Sequence, residues 1–336
     1  MRLWALLTVA AVGVLGLIYG VSHGGKRSSH TAAPAAPHSA APPPRASAQR
    51  PSAPPPLAAH SAGRLPAAVQ APAAAPLAGG RVLLMGGLDS ATVSVAGIEL
   101  AGSGRPRAVG RLPAAVHDAA AAPAPGGAYF FGGGEPSKDA ILSVTAGGRA
   151  TPAGRLPVPA SDVAAVALGG RYYVVGGYTG TQPLSTIVEW RPGRRARVVA
   201  HTPVALRYAA VAAAGNEIVI AGGSVGTSAS RSVYAFDPAR SRVRRIAKLP
   251  RPLTHSSAAT LGGIVYLLGG RGANQGTQTR RVLAIDPRSG RVTVAGRLPR
   301  AVSDAGAAAV PGAIVLAGGR DSAGQVRAEV LRLGPR

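Results

Sequence analysis

Seven side chains frame the chemical question: His117, Asp118, Asp162, Arg207, Tyr208, His255 and Asp304. Between them they offer carboxylates, imidazoles, a guanidinium and a phenol, groups that can hydrogen-bond a ligand or one another. Their spacing is not random. Counting eight residues from the start of each copy of a repeating unit gives Ala71, Asp118, Asp162, Tyr208, His255 and Asp304. The preceding position gives Gln70, His117, Ser161, Arg207, Thr254 and Ser303. Asp at three equivalent places is what a requirement of the fold produces, with the side chains bonding neighbouring backbone. The members that break the pattern (His117, Arg207, Tyr208 and His255) are the better candidates for ligand contact, because sites tend to sit where a repeat departs from its own rule.

The unit that positions them has two landmarks. GRLP starts at Gly63, Gly110, Gly154 and Gly296, with degenerate copies near His201-Thr202-Pro203 and Lys248-Leu249-Pro250. An apolar run ending in a glycine pair follows: VLLMGG, YFFGG, YVVGG, IVIAGG, YLLGG and IVLAGG. The first glycines, from Gly86 to Gly318, are spaced by 46, 44, 46, 47 and 49 residues. A period in that range means a solenoid or a propeller. Each unit divides into four short β-branched or Ala-rich segments bounded by Gly, Pro and Asp, which predicts strands. Pro and Gly interrupt every Ala-rich stretch, which excludes a helical repeat.

The glycine pairs, together with Asp-Pro endings at Phe236-Asp237-Pro238 and Ile285-Asp286-Pro287 and a weaker copy at Trp190-Arg191-Pro192, resemble the kelch repeat family over about residues 63–336. The resemblance implies an all-β, six-bladed propeller whose inner strands crowd the axis. The small segments Ala119–Ala122, Ala164–Val166, Ala209–Ala214 and Ala305–Ala309 suit that place. The Trp that the family usually carries in the outer strand is Val, Ile or Ala here. The sixth unit stops after its third strand, VRAEVLRL at 326–333, and a segment about Leu57–Ala62 is expected to complete it, hiding an exposed edge.

The chain has 336 residues and a formal net charge of +24. Nearly all the charge is Arg, dispersed rather than clustered with aromatics, so nucleic acid is not the expected partner. There is no Cys, which excludes disulfides, thiolate metal sites and Cys nucleophiles. After Arg2, residues 3–21 carry no charge, and as a helix would span about 28 Å, close to the hydrocarbon thickness of a bilayer. Residues 1–21 are therefore expected to be a signal-anchor, a single transmembrane helix; secretion after cleavage is the alternative. Residues 22–56, rich in Ala and Pro, predict a disordered spacer, and residues 57–336 the propeller. His23, His30, His38 and His60 in or near the spacer are irregularly placed and expected to be solvated.

No nucleophile elbow, zinc-protease motif, phosphate loop or dinucleotide fingerprint occurs. No catalytic residue, metal or cofactor is assigned. Galactose-oxidase-like enzymes share the kelch propeller but need a Cys-crosslinked Tyr that this chain cannot form. The expectation is a bacterial, membrane-anchored, monomeric binding or scaffold module outside the cytoplasm, recognising a protein or glycan through the face that bears Asp118, Asp162, Arg207, Tyr208, His255 and Asp304. Two alternatives stand beside it: a carbohydrate-active enzyme resembling kelch-type sialic-acid mutarotases, and an electrostatic binder of polyanions.

Overall fold

The computed structural model describes residues 54–336. The anchor expected at 1–21 and the spacer at 22–56 lie outside the described residues, apart from 54–56. Among the described residues no helix is long and apolar enough to cross a membrane.

The described chain is all-β, with one 3-10 turn at Ala78–Gly80 and no α-helix. The inner strands are Ala73–Leu77, Ala120–Ala124, Ala164–Leu168, Ala210–Ala214, Ser257–Leu261 and Gly306–Val310. Each pairs antiparallel with the strand that ends at a glycine pair, then a third strand, then an outer one. The second strands are buried on both faces, as in Arg81–Met85 and Glu217–Ala221, which explains their unbroken apolar runs. Outer strands such as Arg197–His201 are half exposed.

The expectation of six separate blades is corrected. Four four-stranded sheets stand alone, and the other strands of the repeat form one eight-stranded sheet. The cause is the chain's first strand, Leu57–Arg64. It lies antiparallel along the final strand, Glu329–Pro335, from Leu57 opposite Pro335 to Ser61 opposite Leu331. Its first residue also meets the outer strand Val292–Arg297 in a parallel bridge, Leu57 to Gly296. That contact fuses the fifth and sixth units. Glu329–Pro335 also starts later than the run at 326–333, because Val326 and Arg327 bond instead to Arg320 and Gly319 of the preceding loop.

The units are joined by one repeated device. The second glycine of each pair donates its N–H to a carbonyl just before the next unit's inner strand: Gly87 to Val116, Gly133 to Ala160, Gly177 to Leu206, Gly223 to Leu253 and Gly270 to Val302, all at 2.8–2.9 Å. The last, Gly319 to Val69 at 2.8 Å, returns to the first unit. The first glycine of each pair has positive φ, 63° at Gly176, and a Cβ there would collide with the same carbonyl. Only glycine meets both conditions. Apolar clusters fill the spaces between neighbouring units all the way round. The widest side chains, Tyr129, Phe131, Tyr172 and Trp190, pack edge to face between the second and third units.

Candidate functional site

The residues eight after each repeat start converge at the axis. Ala71, Asp118, Asp162, Tyr208, His255 and Asp304 all have φ between 52° and 58°, the left-handed region. Five main-chain hydrogen bonds link them in turn: Asp162 N–H to Asp118 O (2.8 Å), Tyr208 to Asp162 (3.1 Å), His255 to Tyr208 (3.3 Å), Asp304 to His255 (3.0 Å) and Ala71 to Asp304 (2.6 Å). Asp tolerates this conformation better than most side chains, which accounts for its recurrence. The residue before each ring member pairs with the chain just beyond a glycine pair, as in Ser161 with Tyr178 and Thr254 with Arg271. The ring thus serves the fold through its backbone, and the side chains are left to do something else.

Those side chains form one connected network around a mouth of about 130 Å³, lined by Asp118, Asp162, Tyr208, His255 and Asp304. Of the seven predicted residues, these five line the mouth. His117 and Arg207 stand beside it. The Arg207 guanidinium bonds Asp162 Oδ2 through Nε, lies 4.1 Å from the Tyr178 ring centroid, and donates from Nη2 to the Tyr208 hydroxyl at 3.4 Å. The Tyr208 hydroxyl donates to Asp118 Oδ2 at 3.3 Å. His117 bonds Ser94 through Nδ1 at 2.8 Å, with Nε2 3.8 Å from Asp118 Oδ2. The Tyr208 and His255 rings stack at 3.8 Å.

Burial sets the protonation. It pushes Asp118 well above the usual carboxylate range, and the Asp162 and Asp304 charges add to the effect, against the Tyr208 hydrogen bond and the Arg207 charge. Burial likewise raises Asp304, opposed by the 2.6 Å bond from the Ser303 hydroxyl. His255 is pushed down to about 2, by burial first and then by the Arg271 and Arg207 charges. Its imidazole is therefore neutral at physiological pH. Arg271 Nη2 can only donate, so His255 Nε2, 3.0 Å away, accepts, and Nδ1 carries the proton towards Thr254 Oγ1 at 3.0 Å. Among the described residues no group of three His, Asp or Glu side chains is placed to hold a metal ion.

The larger opening lies beside the ring on the same face. A groove of about 630 Å³ runs between the fourth and fifth units. Pro250, Pro252, Leu253 and Leu283 give it an apolar wall; Ser228, Thr277, Thr279 and Gln278 add polar groups; Arg251, Arg271 and Arg281 add charge, and no carboxylate lines it. Arg271 is committed to the fold, donating to the Ala273 carbonyl at 2.7 Å and to His255. Arg251 and Arg281 have no carboxylate partner among the described residues. This groove was not singled out by sequence reasoning. Its signal is the stretch from Gly270 to Arg281, the longest of the connections between a glycine pair and its third strand, which also underlies the 49-residue spacing.

Successive four-stranded sheets, inner strands ranged about an axis and loops gathered at one mouth define a β-propeller. Within it, residues 205–250 match the kelch motif family. No curated protein matches the chain. Among solved structures, one titled "Structure of YjhT" is similar at 14% identity and a TM-score of 0.69, covering 80% of this chain and 95% of that one. It is one of 540 matching chains, so the likeness identifies an architecture and not an activity.

Proposed function

We propose that this is a six-bladed kelch propeller, its eight-stranded sheet comprising two blades that share an edge, and that it acts as a non-enzymatic binding or scaffold module. It works outside the cytoplasm of a bacterium, tethered by the apolar segment 3–21, and captures a protein or glycan on the ring-bearing face. One observation carries the reading: the groove between the fourth and fifth units has two unpaired arginines, Arg251 and Arg281, and an apolar wall without a carboxylate. Such a lining suits a ligand segment bearing an acidic group next to apolar surface. The mouth residues support the groove from behind, since Arg271 is held through His255.

The test is capture from native envelope extract by the full chain, beside an Arg251→Glu/Arg281→Glu variant, followed by a panel of neutral and acidic glycans. A partner lost in the variant sustains the reading; equal capture by both chains sinks it. A second reading, a carbohydrate-active enzyme, is favoured by Asp118 and Asp304, two carboxyls whose raised pKa values suit a general acid. It predicts turnover of a sugar by wild type and none by Asp118→Asn.

A further inference from the structure

The end of the propeller opposite the ring is made of two sets of turns, those after the inner strands and those before the outer strands. They touch within a unit: Ser103 N–H donates to Gly80 O at 3.0 Å, and Ala146 N–H to Gly126 O at 2.9 Å. Their charge is lopsided. The carboxylates there are engaged: Glu189 by Arg171 and Arg197, Glu217 by Arg244, Asp237 by Arg240, and Asp286 by the Ser289 hydroxyl and the Arg288 N–H. Arg194, Arg195, Arg242, Arg288 and Arg291 are exposed and have no carboxylate partner among the described residues. On the ring face the arginines divide: Arg207 and Arg327 are paired with buried carboxylates, while Arg251 and Arg281 line the groove without one.

The described chain also begins at this end. Leu57 lies opposite Pro335, Arg336 N–H donates to Pro56 O at 3.2 Å, and Arg332 reaches Pro311 O, in a turn after an inner strand, at 3.2 Å. The first described strand therefore enters the propeller among these turns, not at the mouth.

We infer that the arginine-bearing turns dock on an anionic lipid bilayer, leaving the ring face and its groove pointing away. The orientation rests on the tether proposed above; the attraction does not. An exposed basic residue near an anionic membrane surface raises binding about fivefold, from roughly 1 kcal/mol each, and the Debye length of about 8 Å at physiological salt confines the effect to residues at the surface. Arginines at several turns can reach one plane together, and the stiff β scaffold makes their contributions add. A lipid surface is favoured over a nucleic acid because the arginines spread over several units, and the one aromatic in the hollow of about 400 Å³ beside Arg194 and Arg195, Trp190, is buried and offers no face on which a base could stack.

The experiment reads the arginines directly. The full chain is mixed with vesicles of phosphatidylcholine alone or with about a third phosphatidylglycerol, treated with phenylglyoxal, and modified arginines are mapped by mass spectrometry. The expected result is at least a fivefold fall in reactivity at Arg194, Arg195, Arg242 and Arg288 on the anionic vesicles, reversed by 1 M salt. Arg251 and Arg300, exposed on the ring side, should react alike in both. Unchanged reactivity of the turn arginines on anionic vesicles overturns the inference, as does protection of Arg251 in their place. Protection by duplex DNA with none by lipid overturns it in favour of a nucleic acid. Failure to float with neutral vesicles sinks the tether alone, while protection confined to anionic vesicles still upholds the docking surface.

Discussion

At the mouth of the propeller, polar side chains are buried, mutually bonded and shifted in protonation; on the turns opposite, the carboxylates are paired but Arg194, Arg195, Arg242, Arg288 and Arg291 stand exposed without a carboxylate. Arg207 shows the first condition, with its guanidinium shared among Asp162, Tyr178 and Tyr208. Arg195 shows the second. Both regions come from the same repeat, so the difference measures what the fold demands at each. The mouth is where six chain segments must meet in a strained conformation, and their side chains fill what space remains. The turns meet only their neighbours within a unit, as Ser103 N–H does Gly80 O, and their remaining positions are free to follow charge.

The sharpest way to break this comparison uses two glycines of similar φ, 63° at Gly176 and 72° at Gly193. A Cβ on Gly176 would strike the Leu206 carbonyl, whereas one on Gly193 meets nothing within 4 Å. Gly176→Ala should cost about 3–4 kcal/mol in a denaturant titration, and Gly193→Ala only the backbone term of about 1 kcal/mol. Equal losses would mean that close approach between units is not what the glycine pair is for.

Next in size are the arginines. Arg207→Ala leaves Asp162, whose side chain is 4% exposed, without its cation. Because Arg207 is itself a third exposed, the loss should be about 2–3 kcal/mol, below that for a fully buried pair. Arg195→Ala should stay within about 0.5 kcal/mol. Thermal unfolding of the two variants side by side checks both.

The pH dependence separates the mouth from the rest. Burial and the Arg271 and Arg207 charges push His255 down to about 2 in the folded chain, from the ordinary histidine value of about 6.5. The unfolded chain binds its proton first, so the stability it contributes is complete above pH 6.5 and drains away as pH falls towards 2. Asp118 and Asp304 act in the opposite sense. Their folded pKa values are raised, so their contribution is complete at low pH and lost as pH rises from about 4 through the folded values. Asp118→Asn should therefore gain stability relative to wild type as pH climbs from 4 to 7. Melting curves across that range decide it.

The smallest expected effect is a gain. Ala71 holds φ at 53° with no side-chain bond. Ala71→Gly should relieve the strain by about 0.5–1 kcal/mol, seen as a rise in Tm of a few degrees.

Much of this was legible in the sequence, because repetition reports geometry. The glycine pairs marked the contacts between units, and the residues eight after each repeat start marked the ring, including Tyr208 and His255, which no composition argument would have joined. Inner strands were read about one residue early in several units, since Ala119, Ala209 and Ala305 still belong to the hook that follows the left-handed residue. Two features were not legible. The bridge from Leu57 to Gly296 joins residues far apart in the chain and depends on the tilt of outer strands, which no local pattern encodes. The groove depends on the path of residues 271–280, and that loop is shaped by the Arg271 guanidinium holding its own carbonyls.

The central claim is that ligand capture and membrane contact occupy opposite ends of one propeller. A photoreactive residue placed at Ala273, exposed in the groove, or at Arg194, exposed on the turns, tests it in the full chain in cells. Irradiation should join position 273 to a protein or glycan and position 194 to lipid. Lipid adducts at 273, or a macromolecular partner captured only from 194, would contradict the account.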